Sequence, residues 1–306
     1  MSGLFQSAAL VFVTLPVCFA ASNSSPALRL PSGAPTYRIK LGPFIVPPTR
    51  AVGLVIKASV NGGPVLRLLL DSGTQYIVLD RKAAAKSGCT GGTDLDLVGA
   101  GAATATIVKM QRAQSVRVGD LNLHDVPLLV QNRSLADGID GALPLSLFAG
   151  FLIRLDIPGR TLELLPYAAP IDEHADAVRS ISSNHLLFVT GTVNDKSRGF
   201  FLLDTGAAYT AISRKVAREL NISETMAERV PLEGGTTSME APLVHGSVRL
   251  RLGSRELATD PVVAVDLSTA SRFHGVEIDG LIGYPALAGS VLTVSYRENL
   301  IRIEPR

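Results

Sequence analysis

Leu68-Leu69-Leu70-Asp71-Ser72-Gly73-Thr74-Gln75-Tyr76 and Phe201-Leu202-Leu203-Asp204-Thr205-Gly206-Ala207-Ala208-Tyr209 are near-copies set 133 residues apart. Each is an apolar strand that runs into Asp-Ser/Thr-Gly, with a Tyr three residues after the Gly. One such tripeptide is ordinary turn chemistry. Two copies after matching strands place two carboxylates opposite one another across a pseudo-twofold axis.

The repeat extends well beyond the motifs, as a domain-sized duplication does. Arg81-Lys82-Ala83-Ala84 matches Arg214-Lys215-Val216-Ala217, and both read as short helices. Ser115 to Gly119 parallels Arg249 to Gly253 at an offset of 134. Ile139-Asp140-Gly141-Ala142-Leu143 matches Ile278-Asp279-Gly280-Leu281-Ile282 at 139, and the same offset carries Asp156 through Pro166 onto Ser295 through Pro305. Most of the growth falls between Gly253 and Gly280, which predicts an added loop near Ser268 to Val276. Short Val-, Ile- and Leu-rich runs punctuated by Gly and Pro predict strands, and Val116 to Val130 reads as a hairpin turning at Gly119-Asp120.

Over about residues 51 to 306 the chain resembles the two-lobed aspartic proteases, pepsin-like in being one chain. Asp204-Thr205-Gly206-Ala207 has the retroviral form. Asp279-Gly280-Leu281-Ile282-Gly283-Tyr284, Val294 to Arg297 and Arg302 to Pro305 are similar to the C-terminal block of the bacterial single-chain group. The resemblance implies an all-β fold of two pseudo-symmetric, six-stranded-type β-barrel lobes with short helices and a cleft between them. It implies an aspartic endopeptidase in which Asp71 and Asp204 activate a water between two carboxylates that share a proton.

The resemblance also implies supporting roles. Gly73 and Gly206 let the backbone approach the carboxylates and donate N–H groups to their inner oxygens. Ser72 and Thr205 tie the two loops together. Thr74 is placed to bond the outer oxygen of Asp71, which Ala207 cannot do for Asp204. Gly101 and Gly235, in Gly-rich stretches, and Tyr76 and Tyr209 are candidates for contact with substrate. Asp140 and Asp279 read as structural. Two features depart from the pattern. Pro144 stands where an apolar-apolar-Gly segment would have Gly, and Val98 to Gln111 contains no aromatic residue. They motivate a second reading, a peptide-binding or inhibitory protein that kept the fold and lost turnover. An envelope structural or assembly factor is a third.

The chain of 306 residues is long enough for two lobes, each with its own core. A net charge of +2 gives no electrostatic basis for nucleic-acid binding. No phosphate-binding, dinucleotide or metal-ligand spacing occurs, and the five histidines are scattered, so no cofactor or metal is expected. With both Asp motifs in one chain, a monomer acting on a peptide or unfolded protein is expected.

Residues 1–21 read as a signal peptide, apolar from Ala8 to Ala21 and too short for a comfortable membrane span. Export to the periplasm or medium follows, with anchoring through this segment or a lipidated Cys18 as the alternative. Residues 22–50 read as an extension whose Tyr37 to Val46 patch adds to the sheet between lobes. The N-terminal lobe is expected over 51–167, a linker over 168–184 and the C-terminal lobe over 185–306. Cleavage leaves Cys89 alone, as an inert thiol.

Overall fold

A computed structural model of the chain describes residues 8–9, 35–46, 50–97, 106–167, 177–233, 238–244, 248–259 and 261–306. The order of strands repeats in the two halves. In the first, Arg50–Val60, Val65–Asp71, Gly141–Pro144, Ile77–Asp80, Leu121–Gln131 and Thr106–Val118 pair in that order. Ser59 and Val60 then pair with Arg117 and Val116, which closes the six strands into a barrel. The middle strand shows why Leu68-Leu69-Leu70 carries no polar alternation. Its edges pair with Arg50–Val60 and the parallel strand Gly141–Pro144, and its faces are both covered, Leu68 and Leu70 packing into one apolar cluster and Leu69 into another.

The second half runs Leu186–Val193, Ser197–Leu203, Ile278–Ile282, Thr210–Ser213 and Val262–Val265. Here the two long hairpin strands of the first half are each broken, into Ser238–Val244 with Leu250–Leu252 and Arg255–Leu257 with Val262–Val265. Equivalent turns close equivalent hairpins. Asn61-Gly62 and Asn194-Asp195 all have positive φ, the backbone that two-residue hairpin loops require. The Asn61 and Asn194 amide oxygens accept from the N–H groups of Ser115 and Arg249, at 3.2 and 2.8 Å. The helices Arg81–Lys86 and Arg214–Glu219 are capped alike, by Asp80 accepting from Ala83 N at 2.7 Å and by Ser213 accepting from Val216 N at 3.1 Å.

A six-stranded antiparallel sheet joins the halves, in the order Tyr37–Lys40, Thr161–Leu165, Leu152–Asp156, Ser290–Ser295, Leu300–Pro305, Ala177–Ser183. Its centre is the pseudo-twofold seam, where Ile153 pairs with Val294 and Asp156 with Val291. The Tyr37 to Val46 patch is shared. Tyr37–Lys40 edges this sheet, while Gly42–Val46 pairs with the first barrel. Residues 177–183, within the stretch expected as linker, form the strand at the opposite edge. Ala8–Ala9 pairs in parallel with Leu232 and Glu233.

One expectation changes. The residues added in the second half are not a loop over 268–276 but the helix Ser268–His274. Asp266 accepts from Ser268 N, Ser271 Oγ bonds Leu267 O and takes Ile278 N, and Gly275 ends the helix at φ 65°. Composition hid it, because Ser-Thr-Ala-Ser lacks the apolar spacing of a longer helix. Its buried residues are Ala270 and His274.

Candidate active site

Asp71 ends the strand Val65–Asp71, and Asp204 follows directly on Ser197–Leu203. Both are fully buried, and so are Ser72, Thr205 and Thr74. The two loops meet face to face. A Cβ placed on Gly73 would lie 2.5 Å from Asp204 Cγ, and one on Gly206 would lie 2.5 Å from Asp71 Cγ. Only glycine lets each carboxyl group rest against the other loop's backbone.

Reciprocal hydrogen bonds lock the loops together. Ser72 N donates to Thr205 Oγ1 at 3.1 Å and Thr205 N to Ser72 Oγ at 3.0 Å. The two hydroxyls then donate across the seam, Ser72 Oγ to Leu203 O at 2.7 Å and Thr205 Oγ1 to Leu70 O at 2.9 Å. Each hydroxyl is thus both donor and acceptor, and the strand leading to each Asp is held by the other half.

The inner oxygens are held unequally. Asp71 Oδ1 accepts from Gly73 N at 2.7 Å. Asp204 Oδ1 accepts from both Gly206 N and Ala207 N, each at 3.0 Å. The expected Thr74 contact is absent. Its hydroxyl donates to Tyr76 O at 3.3 Å instead, closing a local turn. Ala207, whose side chain offered nothing, supplies its backbone N–H. That donor carries no side-chain signature, which is why sequence reasoning missed it.

The outer oxygens, Asp71 Oδ2 and Asp204 Oδ2, are buried and have no donor among the described residues. Two bare carboxylates there would repel at short range in a medium that solvates them poorly. Burial and the Asp204 charge hold Asp71 well above the usual carboxylate range. Burial pushes Asp204 up to about 7, opposed by the neighbouring Asp71 carboxyl as a donor and by the N–H groups of Gly206 and Ala207. A single proton on one outer oxygen supplies the hydrogen bond that both lack. With two N–H donors against one, Asp204 is the better ionised partner and Asp71 the better holder of the proton.

The remaining expected residues distribute as follows. Tyr76 and Tyr209 are half-buried and pack against the apolar cluster of Val52, Val78, Leu129 and Ala208. Phe273, from the added helix, packs against the same cluster, so the second half contributes an aromatic beside the first. Gly101 and Gly235 lie outside the described residues. Asp140 is structural. Its Oδ2 accepts from Arg67 N at 2.8 Å and its N–H donates to Arg67 O at 2.9 Å, bracing the strand that carries Asp71. Asp279 sits against Gly199, where an added Cβ would fall 1.4 Å from its Oδ2, and burial raises it to about 6. Cys89 is a buried free thiol that accepts from Asn61 Nδ2 at 3.4 Å.

No curated protein matches the sequence. Among solved structures, the crystal structure of aspartic proteinase from Irpex lacteus matches with a TM-score of 0.54 over 89% of this chain and 97% of that one. The identity is 12%, so this likeness speaks for the fold. The aspartyl protease family model matches residues 56–146 and 189–286, one segment in each lobe. With more than half of its length matched in two copies, each spanning one Asp-Ser/Thr-Gly loop, the chain belongs to the aspartyl protease family.

Proposed function

We propose that the chain is an aspartic endopeptidase whose catalytic pair is Asp71 and Asp204. The observation that carries this is the pair of unpartnered outer oxygens, held in apposition by glycines and by the Ser72–Thr205 lattice. A lattice of buried bonds that leaves the two facing outer oxygens bare suits chemistry at those atoms.

In this reading Asp204 is ionised and takes a proton from a water lying between the outer oxygens as that water attacks the scissile carbonyl. Asp71 gives its proton to the oxygen of that carbonyl, which would otherwise become an oxyanion. Collapse of the tetrahedral intermediate protonates the leaving amine and restores one shared proton. Ser72, Gly73, Thr205 and Gly206 position the pair, and Thr74 acts one step away, by fixing the turn at Tyr76. The substrate is an extended peptide or unfolded protein, and one chain supplies the whole site. Export through the apolar N-terminal segment is part of the proposal. Among the described residues no helix is long and apolar enough to cross a membrane.

The test is cleavage of an unfolded protein by residues 22–306, from about pH 3 to about pH 8, beside Asp71→Asn and Asp204→Asn. Loss of cleavage in both variants is expected. The acidic limb of the profile should fall nearer 7 than 4, as the elevated Asp204 requires. A folded chain that cleaves at no pH would favour the peptide-binding alternative, and full activity in either variant would overturn the assignment.

A further inference from the structure

The C-terminal lobe holds a second concave site, on the strand that ends at Asp204 but at its far end. Strand Leu186–Val193 is flanked on one side by two different partners. Pairing with Ala177–Ser183 stops at Ser180 and Val189, because Ala177–Arg179 turn away to pair with Leu300–Arg302. Pairing with Leu250–Leu252 begins only at Thr192 and Arg251. Thr190 and Gly191 therefore lie at a fork, with no partner strand between the two. The fork opens a groove of about 690 Å³.

The groove's charge is one-sided. Arg179, Arg198 and Arg251 line it, against Asp195 alone. Thr192 pairs with Arg198 on one neighbouring strand and with Arg251 on the other, so the register brings both arginines to Thr192 across three strands. Arg251 is committed to Asp195 at 2.9 Å and Glu256 at 3.5 Å, while Arg249 also reaches Asp195 at 3.4 Å. Arg198 is exposed and meets no carboxylate among the described residues. The first lobe lacks the feature. At the repeat offset of 133, Arg198 corresponds to Val65, an exposed apolar residue.

We propose that this groove is an anion-binding exosite that takes the carboxylates of an acidic polypeptide segment. An oxyanion between Arg198 and Arg251 would receive planar, two-pronged donation with the Thr192 hydroxyl beside it. A free phosphate offers the same chemistry. The strand edge left unpaired at Thr190, which is partly exposed, favours polypeptide, because it can accept an extended backbone while the arginines take side chains. Arg198 lies six residues before Asp204, about 20 Å along the strand. The site therefore binds substrate far from the scissile bond. Only this naming of the carrier as substrate rests on the peptidase reading, and the binding itself does not.

The test is fluorescence anisotropy of a labelled hexaglutamate peptide with the full chain at low salt. Arg198→Ala, Arg198→Glu and Arg251→Lys are compared with unmodified protein, with thermal unfolding run on each to confirm the fold. Binding that weakens about tenfold in Arg198→Glu, and falls as salt rises, is the expected result. Asp71→Asn should bind the peptide as the unmodified chain does, which separates this site from the cleft and from the fate of the peptidase reading. Equal binding by all arginine variants would overturn the proposal. So would displacement of the peptide by inorganic phosphate at concentrations where free glutamate has no effect.

Discussion

Replacing both Asp71 and Asp204 by Asn should make the protein more stable, and increasingly so as pH rises. Asp204 is held at about 7 in the folded chain against 3.8 for an ordinary aspartate. A folded value above the unfolded one means a contribution fully present below the unfolded value and lost as pH rises through the folded one. The gap of about 3 units corresponds to roughly 4 kcal/mol once pH passes 7, but to under about 1 kcal/mol at pH 4. Between those limits Asp204 alone costs the native state about 3 kcal/mol, and Asp71, also raised, adds in the same direction. Asparagine keeps an oxygen for Gly73, Gly206 and Ala207 yet cannot ionise. Other shifted groups, Asp279 and Glu163 among them, are the same in both proteins and cancel. The assay is thermal and urea unfolding of both proteins at about pH 4, 5.5 and 7. The advantage of the variant should widen by about 3 kcal/mol, roughly 5 °C in Tm for a chain of this size. A gap that stays constant within about 1 kcal/mol across that range would refute the picture of a buried pair forced toward protonation.

Two further outcomes follow from the same loops. Gly206→Ala places a Cβ 2.5 Å from Asp71 Cγ, so cleavage should fall at least about 100-fold, with a lower Tm. Near-normal turnover would mean that the loops are not in apposition. Ser72→Ala removes the donor to Leu203 O and the acceptor of Thr205 N, at a cost of about 2 to 3 kcal/mol by urea unfolding, whereas Thr74→Val loses one local bond and about 1 kcal/mol. If Thr74→Val also displaced the pH–rate profile, its hydroxyl would be on the carboxylate after all.

The duplication was legible because it is written in side chains. Paired Asp-Ser/Thr-Gly motifs, the short helices at Arg81 and Arg214, and the Asp140 and Asp279 segments all recur at readable offsets. What escaped reading lies in the backbone. Ala207 N, the split of the second lobe's long strands and the added helix have no residue signature, since a peptide N–H is common to nearly every position. One legible departure, Pro144, shows how far a sequence signal reaches. At the equivalent Gly283 an added Cβ would lie 2.1 Å from Tyr209 O, while Tyr284 N donates to Ala207 O at 2.8 Å. The second loop therefore folds down tightly over its crossing segment. Pro144 carries a Cβ at that position, so the Thr74–Tyr76 loop cannot settle as closely. On that looser side the Thr74 hydroxyl turns to Tyr76 O and Asp71 keeps a single N–H donor. On the tight side Asp204 has two. A substitution that reads in sequence as damage to the site coincides in the structure with the asymmetry that tells the two carboxyl groups apart, and such an asymmetry is what a pair needs if one member is to hold the proton and the other to accept one.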